Sequence, residues 1–405
     1  MASQAIIIAN QQQTKELHPV FTKVYGLTVI ERTLHALDRA GIEKAYVIGG
    51  DNQAQLNDLL SKNEFQNLEL ATVNALAAVD LNVEGEIFVV SSPVVVSIDL
   101  FKELRKLGQE AMANATVSDH GILYLKEAAA IKNQLDGGTE ALKNHFEQAK
   151  VIDASQIIYT PITTKVELKS TKKALIKSLT KSTDGWVSRN LNRPISTLFS
   201  RVLAHTSVTP NQFTIFTGVI ALITGYFMAA GGYWNWLIAA FLFHMTSVMD
   251  GVDGELARLK FKSSPFGQWL DTVVDNLSYV VGLGGLVYGV YQYGMTPAVK
   301  WSGILAVAFA VAALGSLYLY LLRFGKGGTL LNVEYGYQNS SGWYSKVMNV
   351  LAAFGKRDLF ALIFLILAIF GQLPMALSYV AIMAAAVFGF SIQAHLIASR
   401  TAVKE

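Results

Sequence analysis

A chain of 405 residues without a single cysteine has no disulfide, no zinc–thiolate site and no thiol nucleophile, and its length suffices for two or three domains. Hydrophobic residues make up 52% and the mean hydropathy is +0.35, high for a soluble protein. That average hides a split: residues 1–185 read as an ordinary soluble domain plus linker, and residues 211–400 as largely apolar sequence. The net charge of +3 says less than the placement of the charges, and the seven histidines are scattered without a ligand pair at helical spacing.

Strands and helices alternate at the N-terminus. Ala5–Ala9 reads as a short buried strand, too short and too poor in basic leader residues for a cleavable signal peptide. Val29–Ala40 carries apolar residues at helical spacing and stops at Gly41. Ala45–Ile48 is a second strand before Gly49-Gly50, and Ile87–Val90 a third. This alternation predicts a parallel, doubly wound, Rossmann-like α/β domain over residues 1–165.

The chain then turns basic, with Lys165, Lys169, Lys172, Lys173, Lys177 and Lys181. The segment reads as a solvated linker or as a juxtamembrane stretch attracted to anionic headgroups, at about 1 kcal/mol per charge near the surface. Trp186–Leu203 mixes Trp186, Val187, Leu191, Ile195, Leu198, Phe199 and Val202 with Arg189, Arg193 and Arg201, the pattern of an amphipathic helix lying in the interface. Residues 166–205 are therefore expected to be a basic linker followed by an interfacial helix.

An all-α domain of six transmembrane helices is expected over residues 206–405. The first begins at Thr209-Pro210-Asn211 and covers Asn211–Ala230; the others lie near Trp234–Ala257, Pro265–Val290, Val299–Leu322, Asp358–Phe370 and Pro374–Ala398. Loops on one side hold Arg258, Lys260, Lys262, Arg323, Lys326, Lys346, Lys356, Arg357, Arg400 and Lys404, whereas the opposite loops hold only Lys300. This bias predicts that both termini are cytoplasmic in a multi-pass protein of the cytoplasmic (inner) membrane.

Four aspartates interrupt the apolar sequence in the pattern D-x2-D-G-x2-A-R-x8-G-x3-D-x3-D, from Asp250 and Asp253 through Gly254, Ala257, Arg258 and Gly267 to Asp271 and Asp275. A charged side chain at the centre of a membrane helix costs about 2.5 kcal/mol or more. Four converging carboxylates also repel one another unless cations neutralise them. With Asp250 as zero and about 100° per residue, Asp253 falls about 60° behind it, Gly254 about 40° ahead and Ala257 about 20° behind. Gly267, Asp271 and Asp275 form a second stripe on the following helix, and the short connection Leu259–Phe266 makes the two helices antiparallel neighbours. Oxygen-only ligands select hard cations, Mg²⁺ or Mn²⁺. Gly254, Ala257 and Gly267 leave room on the carboxylate faces or serve helix packing. Arg258 is placed to meet a phosphate or to snorkel toward the cytoplasm.

This full spacing resembles the signature of CDP-alcohol phosphotransferases, membrane enzymes that make phospholipids. The resemblance implies two divalent cations on the pyrophosphate of a CDP-alcohol, attack by an acceptor hydroxyl and release of CMP. It implies Asp250, Asp253 and Asp271 as principal metal ligands, with Asp275 as general base that also touches metal. Gly254, Ala257, Arg258 and Gly267 become the nucleotide-binding positions, and Arg193, Arg323 and Arg357 are candidates to hold phosphate. Asp184-Gly185, Ser188-Arg189, Asn192-Arg193, Ser196, Thr209-Pro210-Asn211 and Lys356-Arg357-Asp358 look like the branch with a fused N-terminal nucleotidyltransferase domain. The family also implies a homodimer, membrane-lipid partners and no nucleic acid.

The N-terminal domain is similar in outline to sugar-phosphate or inositol-phosphate cytidylyltransferases, through Pro19-Val20, Tyr25-Gly26 and Val29-Ile30-Glu31-Arg32. Its chemistry is missing. Asn10-Gln11-Gln12-Gln13-Thr14 stands where a glycine-rich phosphate loop belongs. His18 replaces a lysine, and Ser91-Ser92-Pro93 replaces a metal-binding aspartate. A degenerate cytidylyltransferase-like domain is expected. The donor is then a lipid such as CDP-diacylglycerol and the acceptor a polar alcohol such as an inositol phosphate or glycerol phosphate. Transfer from CDP-inositol to inositol phosphate is the alternative within the class. Divalent-cation transport is the alternative outside it.

Overall fold

The computed structural model describes residues 3–82, 84–111, 114–117, 121–132, 142–152, 157–181, 184–324 and 354–402. The chain divides into two compact units, Met1–Leu179 with Leu259–Phe261, and Thr180–Arg258 with Lys262–Glu405.

The first unit is built on a seven-stranded sheet. Its strands are β1 (Ser3–Ile8), β2 (Lys44–Ile48), β3 (Glu69–Val73), β4 (Glu86–Val90), β5 (Ala115–Thr116), β6 (Ile122–Leu125) and β7 (Lys150–Val151), in the spatial order β7-β5-β6-β4-β1-β2-β3. Strand β1 pairs in parallel with β2 and β4, with Ile6 opposite Tyr46 and Val89. Every residue of β1 is buried, because apolar clusters cover both faces of the sheet. Helix α1 (Val29–Arg39) starts at a Thr28–Glu31 capping box and ends before Gly41, whose φ of +80° is the left-handed conformation a helix stop favours. Helices α2 (Gln53–Leu60) and α3 (Ile98–Ala111) follow. The sheet is not wholly parallel as expected. Strand β6 runs antiparallel to both β4 and β5, since a short return such as that between β5 and β6 cannot make a parallel crossover. Helix α4 (Lys165–Lys177) occupies the basic stretch and begins at a second capping box, Thr164 with Glu167.

The second unit is helical. A π-helical turn, Ser188–Asn192, leads into α5 (Arg193–Leu203). Here the usual amphipathic pattern is inverted: Ser196, Thr197 and Ser200 are buried, while Leu198, Phe199 and Val202 are exposed. An exposed apolar face suits a helix bathed in the membrane interface.

Long helices follow: α6 (Pro210–Ala230), α7 (Tyr233–Leu259), α8 (Pro265–Gln292), α9 (Pro297–Phe324), α10 (Arg357–Ile369) and α11 (Ala376–Ala402). Thr209 and Ser264 cap α6 and α8, each with proline in the first helical turn, where its missing N–H is harmless. Among the described residues, four segments are long and apolar enough to cross a membrane: Pro210–Ala230, Pro265–Gln292, Pro297–Tyr320 and Leu373–Ser399. Helix α7 carries Asp250, Asp253, Glu255 and Arg258 in its C-terminal half, and α10 has 13 residues against the roughly 20 a span needs. The protein is thus a membrane protein with several candidate spans. Lys326, Lys346 and Lys404 lie outside the described residues.

Packing places the site. Helix α6 lies close against α8, and α9 against α11. The first approach passes through glycine: a Cβ on Gly285 would come within 2.5 Å of Gly225 O, and one on Gly289 within 2.3 Å of Met228 O. An apolar core of Met228, Trp236, Phe243, Leu286, Phe364 and Leu377 joins α6, α7, α8, α10 and α11.

Candidate active site

Helices α7 and α8 are joined by a tight connection in which Phe261 takes φ +54° and the Ser264 hydroxyl accepts from Gly267 N at 3.0 Å. The carboxylates of both helices therefore meet. Asp250, Asp271 and Asp275 each offer an oxygen, all within 4.8 Å of one another. Oxygens on opposite sides of a single Mg²⁺ are about 4.2 Å apart, so this donor set fits a hard divalent cation after a small contraction. Asp253 stands beside that trio rather than in it. Its Oδ2 accepts from Thr214 Oγ1 at 2.6 Å, its Oδ1 accepts from Gly254 N at 2.6 Å, and its carboxyl neighbours those of Asp250 and Asp271. Thr214, on α6, was not singled out in the sequence, where nothing marks it off from Thr217 and Thr224 in the same apolar run.

Two cavities adjoin the carboxylates, and Lys181, Asp253, Gly254 and Asp271 line both. One of about 340 Å³ is lined by Asn211, Asp253, Gly254, Ala257, Gly267 and Asp271. Gly254 faces open space, whereas a Cβ on Gly267 would lie 2.9 Å from Asn211 Oδ1. The first glycine thus keeps a cavity open and the second permits close packing. The other cavity, about 370 Å³, is lined by Lys181, Ser188, Asn192, Asp250, Lys356 and Arg357 among others. Arg258 borders both.

The three remaining arginine candidates have different fates. Arg193 is locked in a buried network: Nε and Nη2 donate to Asp184 at 2.8 and 3.0 Å, and Nη1 donates to Glu255 at 2.6 Å. Glu255 is fully buried and also accepts from Ser196 Oγ at 2.8 Å and Ser200 Oγ at 2.6 Å. This explains the buried hydroxyl face of α5. Burial pushes the Asp184 carboxyl up, but hydrogen bonds from Arg193 and Lys181 N outweigh it and hold the group below the usual carboxylate range. Arg357 lies on the acidic centre itself, donating to Asp250 at 3.0 Å and to Asp275. Arg323 is exposed near the C-terminal end of α9.

The motif residues before the first long helix also come together with α10. Asp358 accepts from Ser188 N at 2.7 Å, and a Cβ on Gly185 would lie 2.8 Å from Asp358 Oδ2. Sequence reading missed Glu255, although a glutamate between Gly254 and Ala257, beside three motif acids, was the available signal.

Helices long and apolar enough to span a bilayer thus bring together three carboxylates that could hold a metal ion, beside two cavities. Residues 207–392 match the model of the CDP-alcohol phosphatidyltransferase family. It is 33% identical over 160 residues to a bifunctional IPC transferase and DIPP synthase of Aquifex aeolicus, covering 39% of this chain and 36% of that protein. The protein of the same name from Thermococcus kodakarensis is 36% identical over 150 residues, covering 36% of this chain and 33% of its own length. An archaetidylinositol phosphate synthase of Pyrococcus horikoshii is 36% identical over 92 residues, 22% of this chain and 47% of that one. The matched stretch thus spans about a third of the first two relatives. A solved structure of Mycobacterium tuberculosis phosphatidylinositol phosphate synthase with manganese and citrate covers 49% of this chain and 88% of its own at 15% identity, with a TM-score of 0.34.

Proposed function

We propose that the protein transfers a substituted phosphate from a CDP-alcohol to the hydroxyl of a polar alcohol and releases CMP. The observation that carries this reading is the pair of cavities that meet at Asp253 and Asp271, room for two substrates beside one carboxylate cluster. The small-residue cavity, with Gly254, Ala257, Gly267 and Arg258, receives the nucleotide. The other, with Lys356 and Arg357, receives the acceptor and its phosphate. Arg193 acts on this cavity by holding its wall, since its donors are already engaged.

Asp250, Asp253, Asp271 and Asp275 would hold two divalent cations, Mg²⁺ or Mn²⁺, which when bound neutralise pyrophosphate and stabilise the leaving phosphate oxygen. Asp275 takes the proton of the acceptor hydroxyl. The acceptor oxygen bonds to the phosphorus that carries the donor alcohol, and the bond from that phosphorus to the CMP oxygen breaks. Thr214 holds Asp253 in place, and Glu255 with Arg193 fixes α5 against α7.

A lipid donor is supported by an apolar cavity of about 380 Å³, lined by Met228, Phe243, Tyr279, Leu286, Phe364 and Val387. The names of the relatives favour an inositol phosphate as acceptor, and they keep CDP-inositol open as an alternative donor. The reading includes six spans with the acidic centre on the cytoplasmic side, and a homodimer.

The N-terminal domain is proposed to be inactive as a cytidylyltransferase. The strand order reverses between the parallel neighbours β1 and β4, and the crevice at such a switch point is where these folds bind nucleotides. Gln11 Nε2 fills it, donating to Ile8 O at 3.0 Å and Ser91 O at 3.2 Å. Asn52 Nδ2 closes the same loop through Ala9 O and Gln11 O.

The test is CMP release and lipid mass spectrometry with purified protein, Mg²⁺ and a panel of CDP-alcohols and polar acceptors. Asp250→Asn and Asp275→Asn should each abolish CMP release. Persistent turnover in either removes the assigned roles.

A further inference from the structure

Arg193 and Arg357 both contact carboxylates, and they do so differently. Arg193 engages all three of its guanidinium nitrogens, as a permanent structural arginine does. Arg357 is buried to the same extent, yet its satisfaction is incomplete. Its Nη1 is shared between Asp250 and Asp275, its Nη2 reaches only Ser278 Oγ at 3.3 Å, and its Nε is buried without a hydrogen-bond partner among the described residues. The guanidinium carbon lies 5.3 Å from the ring centroid of Tyr279, which supports a cation there without fixing it by a directed bond.

The carboxylates that Arg357 bridges are two of the three whose oxygens could grip a divalent ion. We propose that Arg357 is the resident counter-cation of the acidic centre, and that divalent ions bind by displacing it. Without metal, the guanidinium neutralises carboxylates that would otherwise drive α7 and α8 apart. With metal, repulsion between like charges breaks its bonds to Asp250 and Asp275. Arg357 already lines the cavity that contains Lys181 and Lys356, so the released donors face a space suited to a substrate phosphate. Metal loading thereby arms the acceptor cavity. This inference rests on the metal-dependent reading above.

The test uses the full chain in detergent, stripped of metal with EDTA, and Mn²⁺ titration followed by the electron paramagnetic resonance of free Mn²⁺. Arg357→Gln should bind Mn²⁺ at least about 10-fold more tightly than wild type, because the competing charge is gone. Arg357→Lys, which keeps the charge, should remain close to wild type. Equal or weaker binding by Arg357→Gln overturns the proposal. A second measurement needs no variant: phenylglyoxal modification of Arg357 in the wild-type protein, read by peptide mass spectrometry, should rise several-fold on adding Mg²⁺. An unchanged or lower rate also overturns it. If neither wild type nor Arg357→Gln binds Mn²⁺ at all, the metal-dependent reading itself fails and takes this inference with it.

Discussion

Glu255 offers the sharpest stability test of the helical domain. Its carboxylate is fully buried and accepts three hydrogen bonds, from Arg193, Ser196 and Ser200, at 2.6, 2.8 and 2.6 Å. Removing one partner of a buried ion pair costs about 3–5 kcal/mol, mostly by stranding the other. Arg193 keeps its two bonds to Asp184, so Glu255→Ala should fall at the low end, about 3 kcal/mol. For a domain of this size each kcal/mol moves the midpoint by about 2–4 °C, which predicts a drop of about 6–12 °C. Glu255→Gln keeps the volume and an acceptor oxygen but loses the charge, at about 1.5 kcal/mol. In an Arg193→Met background the loss caused by Glu255→Ala should shrink by about 1.5 kcal/mol or more, because the two side chains act on each other directly. The assay is the thermal midpoint in detergent micelles, read as loss of the monodisperse peak in fluorescence-detected size exclusion. A midpoint for Glu255→Ala within about 2 °C of wild type would refute the reasoning, since it would mean that this network adds nothing to stability.

Helix packing gives a paired contrast. Gly285→Ala must push against Gly225 O and should cost about 1–3 kcal/mol, with loss of activity as α8 shifts its aspartates. Gly284→Ala, one residue away and facing open space, should stay within about 0.5 kcal/mol, and equal midpoints for the two variants would contradict the packing. The Asp184 carboxyl is depressed in the folded state, so its contribution is present above its unfolded pKa and lost as pH falls through the folded value. The gap in midpoint between wild type and Asp184→Asn should therefore hold from pH 7 to 5 and close only below about pH 4. For the N-terminal domain, the full chain with CTP and sugar or inositol phosphates should release no pyrophosphate above background. Robust release would show that Gln11 does not block the crevice.

Much of this arrangement is local and could be read directly. A 3.6-residue period puts Asp250 and Asp253 near one face and aligns Gly267, Asp271 and Asp275, whatever the rest of the chain does. Thr209-Pro210 and Ser264-Pro265 mark helix starts by the same local logic. The parallel sheet was read less well, because strand direction depends on how the connections return rather than on composition.

The acidic pattern, the apolar runs and the absence of glycine from Asn10–Thr14 were properties of the sequence alone. The tertiary structure decided which oxygens group together, that Asp253 answers to Thr214, and that Arg193 serves Glu255 while Arg357 serves the aspartates. Those pairings join residues 62 and 107 positions apart. A side chain's charge and size are written at its own position, but its partner is chosen by helix packing, here by glycines that let α6 and α8 approach within backbone contact.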